Sequence, residues 1–190
     1  MLDTVFGLPT HALVVHAVVV LLPLAALGAV AVALVPALRR RYGTLVGLLT
    51  VAAVGSVPVA TESGERLFAR QSARFGPADV TEAGLMERHR ELGEGLLPWA
   101  LVLLAGVALV LVPPLLARRP ERVPVAAGRP LAMPGPDTAA AGWTKPVALL
   151  GAAVTLVGAV LTVVMVVRIG HAGSEAAWER LDQPAAGSTR

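Results

Sequence analysis

The chain has 190 residues, of which 55% are hydrophobic and 15% charged, with a formal net charge of +3. That is too little charge for the surface of a soluble domain, and the absence of cysteine excludes disulfides, thiolate metal sites and cysteine-held iron–sulfur clusters within the chain. The excess of basic residues does not indicate nucleic acid, because Lys and Arg gather at the ends of apolar runs and no separate soluble stretch remains to carry a basic face.

Four apolar runs, Ala12 to Leu38, Tyr42 to Thr61, Gly95 to Ala117 and Pro146 to Val167, contain no Asp, Glu, Lys or Arg. Each reaches the roughly 20 residues a helix needs to cross a hydrocarbon core. The expected fold is therefore all-α, an integral membrane four-helix bundle forming a single domain over residues 1–183. Its spans are expected at about 11–38, 43–61, 95–117 and 146–167. The lead-in carries Asp3 and no basic residue, and the first apolar run is far longer than a signal-peptide core, so no cleaved leader is expected here.

In chain order, Gly7 and Pro9 break the lead-in, and span one starts near His11, with Pro23 as a candidate kink. Arg39, Arg40 and Arg41 are expected to end it. Span two is expected to continue outward through Glu62, Gly64, Glu65 and Arg66 toward Arg74, ahead of a turn at Phe75, Gly76 and Pro77. A helix with Leu85, His89, Leu92 and Leu96 on one stripe is expected to start outside the membrane and lead into span three near Gly95. Residues 118–145, rich in Pro, Gly and Arg, predict a disordered loop, and residues 184–190 a disordered tail. Ser174 predicts the cap of a short interfacial helix, Glu175 to Leu181, with Trp178 at headgroup depth. Gly47, Val51 and Gly55 in span two share a small-residue face, as do Gly151, Thr155, Gly158 and Thr162 in span four. Such faces let backbones approach closely, and an oligomer is a separate expectation.

Four spans place both termini on one face. The two faces carry equal numbers of Lys and Arg, but the triple arginine abuts its span and marks its side as cytoplasmic. A multi-pass cell-membrane protein with both termini extracytoplasmic is expected.

All four histidines fall near the terminal face. His11 and His16 begin span one, His89 precedes span three and His171 follows span four. At about 1.5 Å rise per residue, each lies within about 12 Å of the hydrocarbon edge. Imidazole ligates haem iron and most transition metals, and a helical bundle can hold haem b between histidines on facing helices. His16 with His89 is the first candidate pair, and His171 with His89 the second. His11 and His16, five apart, point about 140° away from each other on a helix. Gly170 and Gly173 leave room beside His171. Glu62 with Arg66, continued by Arg70 and Arg74, suggests a salt-bridged face that also carries Glu65, and Arg168 and Glu175 flank His171 as groups that could tune a pKa or a redox potential there, with Arg168 the candidate propionate partner.

Residues 7 to 16, Gly-Leu-Pro-Thr-His-Ala-Leu-Val-Val-His, resemble the opening of a bacterial four-span family, the domain of unknown function 2231. Members open with Leu-Pro-x-His-Pro-x-x-Val-His-Phe-Pro, which His11, Val15 and His16 match, while Ala12 and Ala17 replace the usual proline and aromatic. Gly170-His171-Ala172-Gly173 is similar to the family's Gly-His-x-Gly, and His89 falls where the family carries a histidine before its third span. The resemblance implies a membrane protein associated with redox partners.

The leading expectation is haem b binding with electron transfer, or service as the membrane subunit of a redox complex, rather than an enzyme on its own. A cofactor-free structural or assembly protein is the alternative, as is a transition-metal or proton-handling histidine site. The sequence carries no nucleophile elbow, phosphate loop or His-Glu-x-x-His helix. The absence of cysteine makes the orientation testable with an Ala126→Cys and a Ser188→Cys variant. A membrane-impermeant maleimide should label Ser188→Cys in intact cells and Ala126→Cys only after the membrane is opened; the reverse pattern would invert the topology.

Overall fold

The computed structural model describes residues 4–5, 8–72, 80–116 and 138–182. A two-residue antiparallel ladder pairs β1 (Thr4–Val5) with β2 (Leu8–Pro9), and the rest is helix: α1 (Thr10–Leu34), α2 (Pro36–Ser72), α3 (Val80–Glu94), α4 (Leu96–Leu116) and α5 (Thr138–Asp182). Four helices are long and apolar enough to cross a membrane, within Thr10–Leu34, Pro36–Ala69, Gly84–Pro113 and Pro146–Glu175. The expected all-α four-helix bundle is the fold. Below, face A is the side of His11 and face B the side of Arg39.

The helix boundaries differ from expectation in four places. Span one ends at Leu34, not at the arginines, because Pro36 disfavours helical geometry at Val35 and then serves as the first residue of α2. Arg39 to Arg41 are consequently the start of α2. The Arg39 guanidinium turns back, its Nε donating to Val32 O at 3.0 Å and its Nη2 to Ala33 O at 2.7 Å. It thereby satisfies two carbonyls that the end of α1 leaves without partners. Between α3 and α4 the helix breaks at Gly95, three residues before Pro98, whose missing N–H frees the Glu94 carbonyl.

The other two differences concern the last helix. Residues 138–145, expected within the loop, are helical, in keeping with the good helix formers Ala139 to Ala141. The helix then runs unbroken past Ser174 to Asp182, so no separate interfacial helix forms; Ser174 Oγ donates back to His171 O at 2.8 Å within the continuous helix. The outward extension of span two is present as far as Ser72. Arg74, the turn at residues 75–77, the remainder of the expected loop and the tail lie outside the described residues.

Around the bundle, α1 packs on α2 and α5, while α4 packs on α5 and α2, leaving α1 and α4 on the diagonal. The tightest seam is α4 on α5. A Cβ on Gly106 would lie 2.5 Å from Thr155 N, and one on Gly158 would lie 2.5 Å from Leu103 N. Gly151, Thr155, Gly158 and Thr162 are all buried, so the small-residue face of span four is an internal seam. Thr155 Oγ1 donates to Gly151 O at 2.7 Å, so the hydroxyl is satisfied within its own helix. The span-two face is only half used: Gly47 packs on Leu111, whereas Val51 is exposed and a Cβ on Gly55 would meet nothing within 4 Å.

Two core clusters fill the interior. One toward face B joins Ala26, Ala29, Val32, Val46, Leu103, Val107 and Ala159. The other, toward face A, joins Val18, Leu22, Ala53, Val57, Leu96, Ala100 and Val166 among others. Outside, Val20, Leu24, Leu27, Leu45, Leu48, Leu149 and Val167 are exposed, the pattern of helices whose outer surface meets lipid. Overpacking of a close seam costs about 1–3 kcal/mol. Gly158→Ala should therefore lower stability by about that much in a detergent unfolding titration, whereas Gly55→Ala, with open space at its Cβ, should leave it unchanged or raise it by up to about 1 kcal/mol.

Candidate functional site

Above the face-A core cluster lies a half-enclosed cavity of about 400 Å³. Val18, Val57, Leu96 and Val166, all members of that cluster, form its floor. Its upper walls come from the outward extensions: Gly64, Glu65, Leu67 and Phe68 on α2, and Met86, His89 and Arg90 on α3. His11 enters from the first turn of α1, and Ile169 and Gly173 from α5.

The histidines divide into two inside and two outside. His11 and His89 line the cavity, both half-buried. His16 is exposed, and its Nδ1–H donates to Ala12 O of its own helix at 2.5 Å. The His171 side chain is 72% exposed and its Nε2 lies 3.1 Å from Glu175 Oε1. The pairs expected first, His16 with His89 and His171 with His89, are thus not the pair the fold brings together. The cause is helix periodicity. The inward stripe of α1 runs through His11, Val15, Val18 and Leu22, and His16 falls off it by the same 140° that separates it from His11. His89 lies on the inward stripe expected of it.

Both inner rings are held in the same way. His11 Nδ1 is 3.1 Å from Ala60 O on α2 and 3.2 Å from Ser63 Oγ. His89 Nδ1 is 3.0 Å from Ile169 O on α5. A carbonyl oxygen only accepts, so Nδ1 carries the proton in each ring. In a neutral ring this leaves the Nε2 lone pair uncommitted, and no described residue hydrogen-bonds either Nε2.

The glycine expected to make room beside His171 makes room for another ring: a Cβ on Gly173 would lie 3.0 Å from His89 Cε1. A Cβ on Gly64 would lie 2.9 Å from His11 Cε1. Sequence reasoning placed Gly64 on the outward extension of span two but missed its place beside His11, and missed Ser63 and both carbonyls. The signal was present only as a glycine four residues after the carbonyl that a neighbouring histidine uses.

One ion pair expected from the sequence is present. Glu62 pairs with Arg66 one turn on, both exposed. Arg90 is held between Glu87, at 2.6 Å, and Glu94 on the outer side of α3. Arg90 and Glu65 are the charged residues of the cavity lining, whereas Arg168 is exposed and outside it. The side chain of Arg70 lies outside the described residues.

Comparison with protein-family models, with curated proteins and with solved structures returned no match.

Proposed function

We propose that this membrane protein binds haem b in the face-A cavity, where His11 and His89 would hold it, and passes electrons as a carrier or as the membrane subunit of a redox complex. The observation that carries the reading is the matched state of the two rings. Each gives its Nδ1–H to a backbone carbonyl and keeps Nε2 free at one shared cavity. A carbonyl on the remote ring nitrogen is the usual support of a metal-bound histidine, fixing its tautomer and orientation.

The donor set favours haem over a bare ion. Among the described residues no three His, Cys, Asp or Glu side chains gather as a metal-ion site, and a structural or catalytic zinc takes three or four protein ligands. Haem brings its own ring nitrogens and asks the protein only for axial ligands. The cavity, at about 400 Å³, falls within the range of about 300–1,000 Å³ typical of ligand pockets, and it is open enough for a larger group to project from it.

Bound there, the iron would carry single electrons between its ferric and ferrous states. The chain's part is to orient two imidazoles and to exclude water from the floor with Val18, Val57, Leu96 and Val166. The Arg90 guanidinium at the rim is committed to Glu87 and Glu94 on its own helix. An extracytoplasmic position for face A, and the kinship with the domain of unknown function 2231 suggested by residues 7 to 16, fit an exchange of electrons with partners outside the cytoplasm.

Absorption spectra of detergent-purified protein from haem-replete cells test the reading. The oxidised protein should show a Soret band that shifts on dithionite reduction, with sharp visible bands. His11→Ala and His89→Ala should each abolish the wild-type spectrum, and His16→Ala and His171→Ala should preserve it. A colourless protein overturns haem binding and favours a scaffold. Loss of the spectrum in His16→Ala with retention in His11→Ala overturns the ligand assignment.

A further inference from the structure

We propose that Gly64 and Gly173 are positioning residues, and that the cavity is a two-sided site assembled from two equivalent seats, each made of a carbonyl, the glycine four residues after it and a histidine from a neighbouring helix. The proposal deepens the ligand-binding reading of the cavity and names what aims its two imidazoles.

The first seat is Ala60 O and Gly64 on α2 with His11 from α1. The second is Ile169 O and Gly173 on α5 with His89 from α3. In an α-helix the carbonyl of residue i bonds the N–H of residue i+4, and side chains lean toward the helix N-terminus. The side chain at i+4 therefore covers the flank of carbonyl i. A methyl at 64 would stand 2.9 Å from His11 Cε1 and 3.3 Å from Nδ1, and one at 173 would stand 3.0 Å from His89 Cε1 and 3.1 Å from Nδ1. The ring occupies the space of the absent side chain, and from there it reaches the carbonyl oxygen of a neighbouring helix; at Ala60 it shares that oxygen with the Ser63 hydroxyl, which donates to it at 2.9 Å, whereas Ala172 stands at the matching place of the second seat. Not every glycine near this face does this: a Cβ on Gly170 would meet nothing within 4 Å.

Chain direction explains why there are two such seats. Helical carbonyls point toward the C-terminus. Only α2 and α5 run toward face A, so their carbonyls point toward rings that enter on that side from a neighbouring helix. Only the starts of the other two spans, at α1 and at α3 leading into α4, lie on face A to supply the rings. Each antiparallel hairpin thus yields one seat by the same geometry, although the two hairpins share no sequence repeat. The ligand class this implies is a group with two coordination positions, one for each Nε2, as an iron porphyrin has.

The test uses the full chain in detergent with histidine labelled by nitrogen-15, first without added cofactor. Wild-type His11 and His89, assigned through His→Gln variants, should both carry the proton on Nδ1. Gly64→Ala should shift the His11 resonances alone, Gly173→Ala those of His89 alone, and Gly170→Ala neither. Titrated with haem, the first two variants should bind about 10- to 100-fold more weakly than wild type, while unfolding as cooperatively as Gly170→Ala. Tautomers that respond as stated in a chain that takes no haem would sustain the positioning and overturn the haem reading. Haem binding that depends on His11 and His89 but is indifferent to both glycine substitutions, with unchanged resonances, would overturn the positioning alone. If an alanine variant does not fold, the wild-type spectrum decides: a proton on Nε2 of either ring overturns the proposal.

Discussion

A helix in a bilayer has to satisfy its backbone within itself, yet every carbonyl so satisfied keeps a second lone pair. The candidate site rests on that further acceptor capacity at two points, Ala60 O, which the Ser63 hydroxyl shares at 2.9 Å, and Ile169 O. Using it costs the helix none of its own bonds. It also needs no polar side chain carried into an apolar floor, where an unpaired one would be expensive. The condition is access, because a carbonyl on a helix flank is normally covered by the side chain one turn ahead. Glycine at 64 and at 173 removes that cover. The demand for a fixed imidazole is thus met by a deletion, which is why it leaves so faint a trace in the sequence.

The packing of the bundle decides where a cavity can exist. Along α4 and α5 the backbones nearly touch at Gly106 and Gly158, and toward face B the core is filled by small residues such as Ala26, Ala29 and Ala159 around Leu103. The space that remains lies at face A. There the walls are the parts of α2 and α3 that carry acids and arginines on their outer sides, Glu62 with Arg66 and Glu87 with Arg90. Those extensions are polar outward and apolar inward, through Leu67, Phe68 and Met86, so they enclose an apolar chamber at the level where the membrane gives way to water.

The sequence made the spans, the outward run of α2, the inward stripe through His89 and the small-residue seam of span four legible, because each is a periodic signal over several turns. It was less informative wherever one residue decides. Pro36 rather than the triple arginine ends the first hairpin's opening helix, since a proline acts on backbone geometry and the arginines act only on depth. The α5 helix swallows both a stretch expected as loop and a stretch expected as a separate helix, because alanine propensity and the absence of a breaker after Pro146 outweigh the polarity of the flanks. Between His11 and His16 the sequence established that one ring must face away from the other. Choosing which one faces inward required the register of α1 against α2, which only the packing of Val18, Leu22 and Ala25 on Ala53 and Val57 provides.

That register also bears on chemistry. His16 and His171 are satisfied within their own helices, by Ala12 O and by Glu175, so their rings are not oriented by any other part of the fold. His11 and His89 are each tied to a helix other than their own, so the relative placement of the two Nε2 atoms is a property of the whole bundle. A change that shifts α2 against α1, or α5 against α3, moves one ring relative to the other without touching either. The site therefore reports on bundle assembly, and a group bound by both rings would in return tie α1, α2, α3 and α5 together at face A, where the glycine seam between α4 and α5 does not hold them. Ligand binding and stability are then linked: a ligand held only by the assembled pair of rings stabilises the folded bundle in proportion to the logarithm of its concentration over its dissociation constant.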